Sequence, residues 1–182
     1  MDTKIIICDL DNCVSDDSWR ERCLPYNFAK NENEADFDAY NANAKFDRPC
    51  NLWIFEQFKP TDFDYAFFTS RPEKFYQSTL AWIKVHLGFS PTWLFMRPKH
   101  FNLKEAKLKK MWALQFAEVF GKDKIERLFD DNPKVCDCYV EIFGVEKVKN
   151  VFYKYFRETS EPAAPPPILL EKDAGADDDC PF

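Results

Sequence analysis

A chain of 182 residues, 46% hydrophobic and 17% aromatic, has the size and composition of one domain with a sizeable core. No apolar run approaches the roughly 18 residues that span a bilayer, and the opening MDTKIIICDLD is too short and too acidic for a secretory leader, so neither a membrane nor a secreted protein is expected. The net charge of −6 sits mostly at one end, where Glu161 to Phe182 hold six acids against one lysine; the nearly neutral remainder neither supports nor excludes a phosphate-bearing partner.

In chain order, KIIIC (4–8) reads as a buried strand that runs into Asp9 and Asp11. In an extended chain these two carboxylates share a side and repel, unless a cation or a shared proton lies between them. A strand ending in an ordinary polar turn would give the same local pattern. About fifty residues follow before the next strand. NLWIFEQF within them is the expected crossover helix, and the rest, about 16–50, exceeds what a connection needs and reads as a small cap over the sheet edge. YAFF (65–68) is the second strand and leads into Thr69, Ser70 and Arg71. A helical face then runs through Phe75, Thr79, Trp82, Ile83, His86 and Leu87.

WLFM (93–96) is the third strand, followed by a basic cluster of Arg97, Lys99, Lys104, Lys107, Lys109 and Lys110. Leu108, Met111, Trp112, Phe116, Val119 and Phe120 mark the next helix, which stops at Gly121. IERLF (125–129) is the fourth strand and ends in Asp130 and Asp131. Pro133 opens a short helix that closes at Gly144, and VKNVF (148–152) is the fifth strand. The Pro-, Ala- and Asp-rich stretch 161–182 is expected to be a disordered tail, which leaves 1–160 as the folded domain.

Strands alternating with helices predict an α/β, Rossmann-like parallel sheet of about five strands with helices on both faces and a cap inserted after strand one. The strand ends of such a sheet meet at its carboxyl edge, where ligands bind. Asp9, Asp11, Thr69, Ser70, Arg71, a lysine, Asp130 and Asp131 would therefore converge there. Carboxylates suit Mg²⁺, a lysine and a metal offset phosphoryl charge, and hydroxyl and guanidinium donors orient phosphoryl oxygens. The surplus lysines read as a solvated helix face.

The seven scattered cysteines read as reduced thiols of a cytosolic protein. Cys136 and Cys138 form C-x-C without a second pair, and His86 and His100 are the only histidines, so no zinc site is expected. There is no G-x-x-x-x-G-K-[ST] loop, so no P-loop kinase half is expected in this chain.

The ordered set DLDNC, TSRPE, a lysine and DDNPKVCDCY resembles the haloacid dehalogenase superfamily over roughly residues 4–153, and more particularly its polynucleotide 3′-phosphatase branch, common in phages. FDDNPKVCDCYVEIFGV follows that branch with Asn132 in place of an arginine, and DFDAYNANAKFDRP in the insertion is also similar to it. The resemblance implies Asp9 as nucleophile, Asp11 as general acid and base, Thr69 as a phosphoryl ligand, and Ser70 and Arg71 as substrate ligands. It implies a Mg²⁺ site of Asp9, Asp11, Asp130 and Asp131, joined by the Leu10 carbonyl, and a catalytic lysine read as Lys107 with Lys104 as the alternative. The usual D-x-D-G-T is D-L-D-N-C here; Asn12 can adopt the left-handed turn that glycine normally supplies, and Cys13 replaces a hydroxyl residue.

The function expected is a Mg²⁺-dependent phosphomonoesterase acting on a nucleotide or a nucleic-acid 3′-phosphate end, in the cytoplasm, or the host cytoplasm if phage-encoded. A phosphatase of a sugar phosphate or other metabolite is the alternative, and a non-catalytic binding protein on the same fold is a third reading. Trp19, Arg20, Tyr26, Phe28 and Tyr40 could stack on a nucleobase or strand, but read slightly better as the insertion's own small core.

Overall fold

The computed structural model describes residues 3–24 and 34–151; the acidic tail and the insertion's Tyr26 and Phe28 lie outside the described residues. The elements are β1 (Lys4–Cys8), β2 (Ser15–Asp16), α1 (Glu34–Ala42), β3 (Arg48–Pro49), α2 (Trp53–Gln57), β4 (Phe63–Pro72), α3 (Tyr76–Leu87), β5 (Trp93–Arg97), α4 (Glu105–Phe120), β6 (Ile125–Asp130), α5 (Pro133–Phe143) and β7 (Val148–Asn150).

Five strands form one parallel sheet in the order β5-β4-β1-β6-β7, so the isoleucine-rich β1 lies at its centre. The side chains of β1 alternate between two buried layers, as the pleat requires. Ile5 and Ile7 pack with Leu108, Trp112 and Phe116 of α4 and with Val135 and Tyr139 of α5. Ile6 and Cys8 pack with Ile54 of α2 and with Trp82 and Ile83 of α3. Helices thus cover both faces, which is what a wholly apolar parallel strand needs. No helix among the described residues is long and apolar enough to cross a membrane.

The second strand is longer than its apolar run. It extends from Phe63 to Pro72, so Thr69, Ser70 and Arg71 belong to β4 itself, beside a register irregularity between Phe68 and Pro72. The two-stranded antiparallel ribbon β2–β3 pairs Ser15 with Pro49 and Asp16 with Arg48, at the two ends of the insertion. At α5, Asn132 caps the helix by accepting the Lys134 N–H at 3.0 Å, and Pro133 occupies the first turn, where a missing N–H costs nothing.

Candidate active site

The carboxyl ends of β1 and β6 lie side by side. The Asp9 N–H donates to the Phe129 carbonyl at 3.0 Å, which fixes the first residue past β1 against the end of β6. Carboxylate oxygens of Asp9, Asp130 and Asp131 all lie within 4.8 Å of one another. Asp9 and Asp130 are buried and Asp131 is half-buried.

Among the described residues, Lys109 is the cation paired with this cluster. Lys109 Nζ stands 2.7 Å from Asp9 Oδ1, 2.9 Å from Asp130 Oδ2 and 2.8 Å from Glu105 Oε1. Lys109 is fully buried, whereas Lys104 and Lys107 are exposed. The structure thus brings Lys109 to the acids, where the sequence reading had Lys107 or its alternative Lys104. The reason is helix rotation: Leu108, Lys109, Trp112, Ala113 and Phe116 form the buried stripe of α4, and Lys107 falls on the opposite side.

Glu105 was not anticipated. It sits one turn before Lys109, pairs with it, and accepts a hydrogen bond from Asn132 Nδ2 at 3.0 Å. Asn132, standing where the family resemblance has an arginine, thus links α4 to the acidic pair; its own N–H donates to Asp130 Oδ1 at 3.0 Å.

The cluster carries more negative charge than one lysine offsets. Burial pushes the Asp9 carboxyl well above the ordinary range; Lys109 opposes this, and Asp130, Asp131 and Glu105 add to it. Burial likewise raises Asp130, and burial together with the Asp130 charge pushes Asp131 up to about 7. Burial disfavours the Lys109 cation, but Asp130, Asp9 and Glu105 outweigh it and keep the ammonium charged.

Asp11 takes other partners. The chain turns sharply after Leu10, with Asn12 in the left-handed region at φ 57°, as expected of an asparagine standing in for glycine. Arg71 grips Asp11 through Nη2 to Oδ1 at 2.7 Å and through Nε at 3.1 and 3.2 Å, and Arg20 Nη2 reaches the same Oδ1. Asp11, expected among the metal ligands, therefore lies outside the three-carboxylate cluster and is paired with two arginines. Burial raises its carboxyl, but Arg71 and Arg20 overcome that and hold it below the ordinary range. The Leu10 carbonyl accepts the N–H groups of Cys13, Val14 and Ser15 at 3.2, 2.9 and 2.8 Å and so closes the turn.

The β4 residues sit beside this pair. Thr69 is fully buried, and its Oγ1 accepts the Arg71 N–H at 3.2 Å. Ser70 is half-buried, and its carbonyl accepts Arg97 Nε–H at 3.2 Å. Arg71 Nη1 is buried without a protein partner, a donor left over once Asp11 and Asp47 are served. Of the insertion's aromatic and arginine set, Trp19 donates to Asp47 Oδ1 at 2.9 Å and the Arg20 guanidinium lies over the Tyr40 ring at 4.1 Å. Trp19 and Tyr40 thus pack within the insertion, while Arg20 also reaches Asp11.

No family model matches the sequence, and no curated protein matches it. Solved structures do share the fold. A chain of the Pnkp1/Rnl/Hen1 RNA repair complex superposes with a TM-score of 0.60 at 20% identity, over 85% of this chain and 44% of that one. A chain from a second structure of the Pnkp1/Rnl/Hen1 complex gives 0.62 at 22% identity, over 85% and 47%. At these identities the likeness is one of fold. The present chain spans less than half the length of either.

Proposed function

We propose that this chain is a Mg²⁺-dependent phosphomonoesterase of the haloacid dehalogenase type, acting through an aspartyl-phosphate on a nucleotide or on a nucleic-acid 3′-phosphate end. The observation that carries the reading is the position of Asp9: its carboxylate ends the central strand, within 2.7 Å of Lys109 and beside Asp130 and Asp131. The likeness in fold to chains of an RNA repair complex favours a nucleic-acid end over a small metabolite.

The residues fit a hard divalent cation. Three oxygen donors lie within reach of one point, and their raised proton affinities mark charge that a lysine alone leaves uncompensated. Asp9, Asp130 and Asp131 would hold the ion, which would supply electrostatic stabilisation of the transferring phosphoryl group.

The remaining chemistry belongs to the chain. An Asp9 oxygen attacks phosphorus and the ester P–O bond breaks; the leaving alkoxide takes a proton from Asp11. Asp11, now ionised, deprotonates a water that attacks the phospho-aspartate, and the bond from Asp9 to phosphorus breaks to release phosphate. Lys109 holds the Asp9 carboxylate in place and offsets its charge. In the resting arrangement both arginines pair with Asp11. Phosphate oxygens would draw those N–H groups to themselves, which would let the Asp11 pKa rise to where it can donate a proton. Thr69 and the unpaired Arg71 Nη1 complete the donor set.

The test is phosphate release by the purified protein with Mg²⁺ from 3′- and 5′-phosphorylated oligonucleotides, mononucleotides and sugar phosphates. Preference for 3′-phosphorylated ends or nucleotides is expected. A preference for sugar phosphates would move the reading to a metabolite phosphatase, and no release by folded protein would end the enzymatic reading.

A further inference from the structure

Asp47 lies at the end of the insertion, just before β3, and is 1% exposed. It lies outside the three-carboxylate cluster, and its carboxylate meets four side chains. Arg20 Nε donates to its Oδ1 and Arg20 Nη2 to its Oδ2, both at 2.7 Å, the paired geometry in which a guanidinium fork matches a carboxylate. Trp19 Nε1 donates to Oδ1 at 2.9 Å, Ser15 Oγ to Oδ2 at 2.5 Å, and Arg71 Nη2 lies 3.3 Å from Oδ2. Its backbone carbonyl accepts Trp82 Nε1–H from α3 at 2.9 Å.

The two arginines come from different parts of the chain, Arg20 from the insertion and Arg71 from β4. Both reach Asp11, and both reach Asp47. Ser15 Oγ bridges them, donating to Asp47 and accepting from Arg71 Nη2 at 3.0 Å. A guanidinium has five donors in a rigid plane, so fixing its inner edge fixes where its outer edge points. Two arginines packed near one another also repel, and a buried carboxylate between them offsets that repulsion where solvent cannot.

We infer that Asp47 is a positioning residue that holds Arg20 and Arg71 as one paired anion clamp, joining the insertion to the sheet edge. The inference rests on the phosphate-binding reading of the two arginines. Asp47 itself touches neither the phosphate nor the reacting atoms. Outer partners that orient a ligand-binding side chain alter affinity or activity by about 10- to 100-fold when removed.

The experiment compares wild type, Asp47→Asn and Ser15→Ala, each measured at a temperature where circular dichroism shows it folded. The probes are inorganic phosphate with Mg²⁺, titrated calorimetrically, and turnover of p-nitrophenyl phosphate. Asp47→Asn should weaken phosphate binding and raise KM on the order of 10- to 100-fold, with the smaller change in kcat. Ser15→Ala leaves every charge in place and should move both quantities in the same direction by a few-fold; if Asp47→Asn does not fold, this variant alone decides. Phosphate affinity and KM unchanged in the folded variants, with only the melting temperature lowered, would reduce Asp47 to scaffolding and overturn the inference while leaving the phosphatase reading intact. Wild type that binds phosphate but hydrolyses no ester, with binding lost in the variants, would support the clamp and sink the phosphatase reading. Wild type that does neither overturns both.

Discussion

Lys109 Nζ and Asp9 Oδ1 are 2.7 Å apart, which ties the buried face of α4 to the end of the central strand. The ammonium also serves Asp130 and Glu105, so three carboxylates depend on it. Removing one partner of a buried charge network leaves the others uncompensated, and that costs about 3–5 kcal/mol where relaxation is limited.

Lys109→Met should therefore lower both melting temperature and turnover, the latter by about 10²–10³-fold, the range for deleting a preorganised charge-stabilising donor. Lys107→Met, on the exposed side of the same helix, should stay within about 0.5 kcal/mol of wild type in stability and within a few-fold in rate. Paired kinetic and urea-unfolding measurements check this. Equal losses in both variants would move the lysine assignment back toward the helix as a whole.

Asp9→Asn and Asp11→Asn should fail differently. Loss of a nucleophile costs several orders of magnitude, roughly 10⁶-fold in the best-studied hydrolase, whereas a general acid–base group contributes about 10²–10⁴-fold. With p-nitrophenyl phosphate, whose leaving group needs little protonation, Asp11→Asn should give a burst of nitrophenol followed by slow turnover. Asp9→Asn should give no burst. Near wild-type turnover by folded Asp9→Asn protein would remove Asp9 from the nucleophile's place.

Divalent cation should stabilise the fold. A ligand that binds only the native state adds about 2.7 kcal/mol at a concentration of 100 times its dissociation constant. Adding Mg²⁺ should thus raise the thermal midpoint of the wild type, and Asp131→Asn, which removes the most accessible carboxylate of the three, should lose most of that rise. A midpoint that responds equally in both proteins would place cation binding elsewhere.

Asp17 supplies a pH test away from that cluster. It is buried, its Oδ2 accepts the Tyr40 hydroxyl, and its Oδ1 has no partner. Burial, aided by the nearby Asp11 charge, pushes its carboxyl from the ordinary 3.8 up to about 6. The folded state then holds the proton more tightly than the unfolded state. The protonated form stabilises the fold below about pH 4, and that stabilisation is lost as pH rises through about 6. Asp17→Asn is neutral throughout, so its stability relative to wild type should rise between pH 4 and pH 7, by on the order of 2 kcal/mol. Urea titrations of both proteins at the two pH values read the difference; a constant difference would show that Asp17 ionises normally.

Much of this arrangement was legible before folding. The central strand β1 announced itself as a short apolar run, because a strand buried on both faces has no polar positions to blur the pattern, whereas the two-residue β2 and β3 carried no such run. The polar residues just beyond the runs of β1, β4 and β6 had to meet at one edge once the strands were parallel. Asp9, Asp130 and Asp131 meet there, and Arg71 of β4 meets Asp11. Asn12 announced its left-handed turn through residue type.

What stayed hidden depended on rotation and on distance along the chain. Lys104, Lys107 and Lys109 are chemically alike, and only the seating of α4 on the sheet decided that Lys109 faces Asp9. Asp9 and Asp11 read as one pair, but the turn after Leu10 sends the first to Lys109 and the second to arginines 9 and 60 residues away in sequence. Asp47, 27 residues from Arg20 and 24 from Arg71, carried no local mark of its role. Backbone periodicity is a local property and can be read along the chain. Charge compensation in a low-dielectric interior is set by which side chains are brought within about 3–4 Å, and that only the packed fold decides.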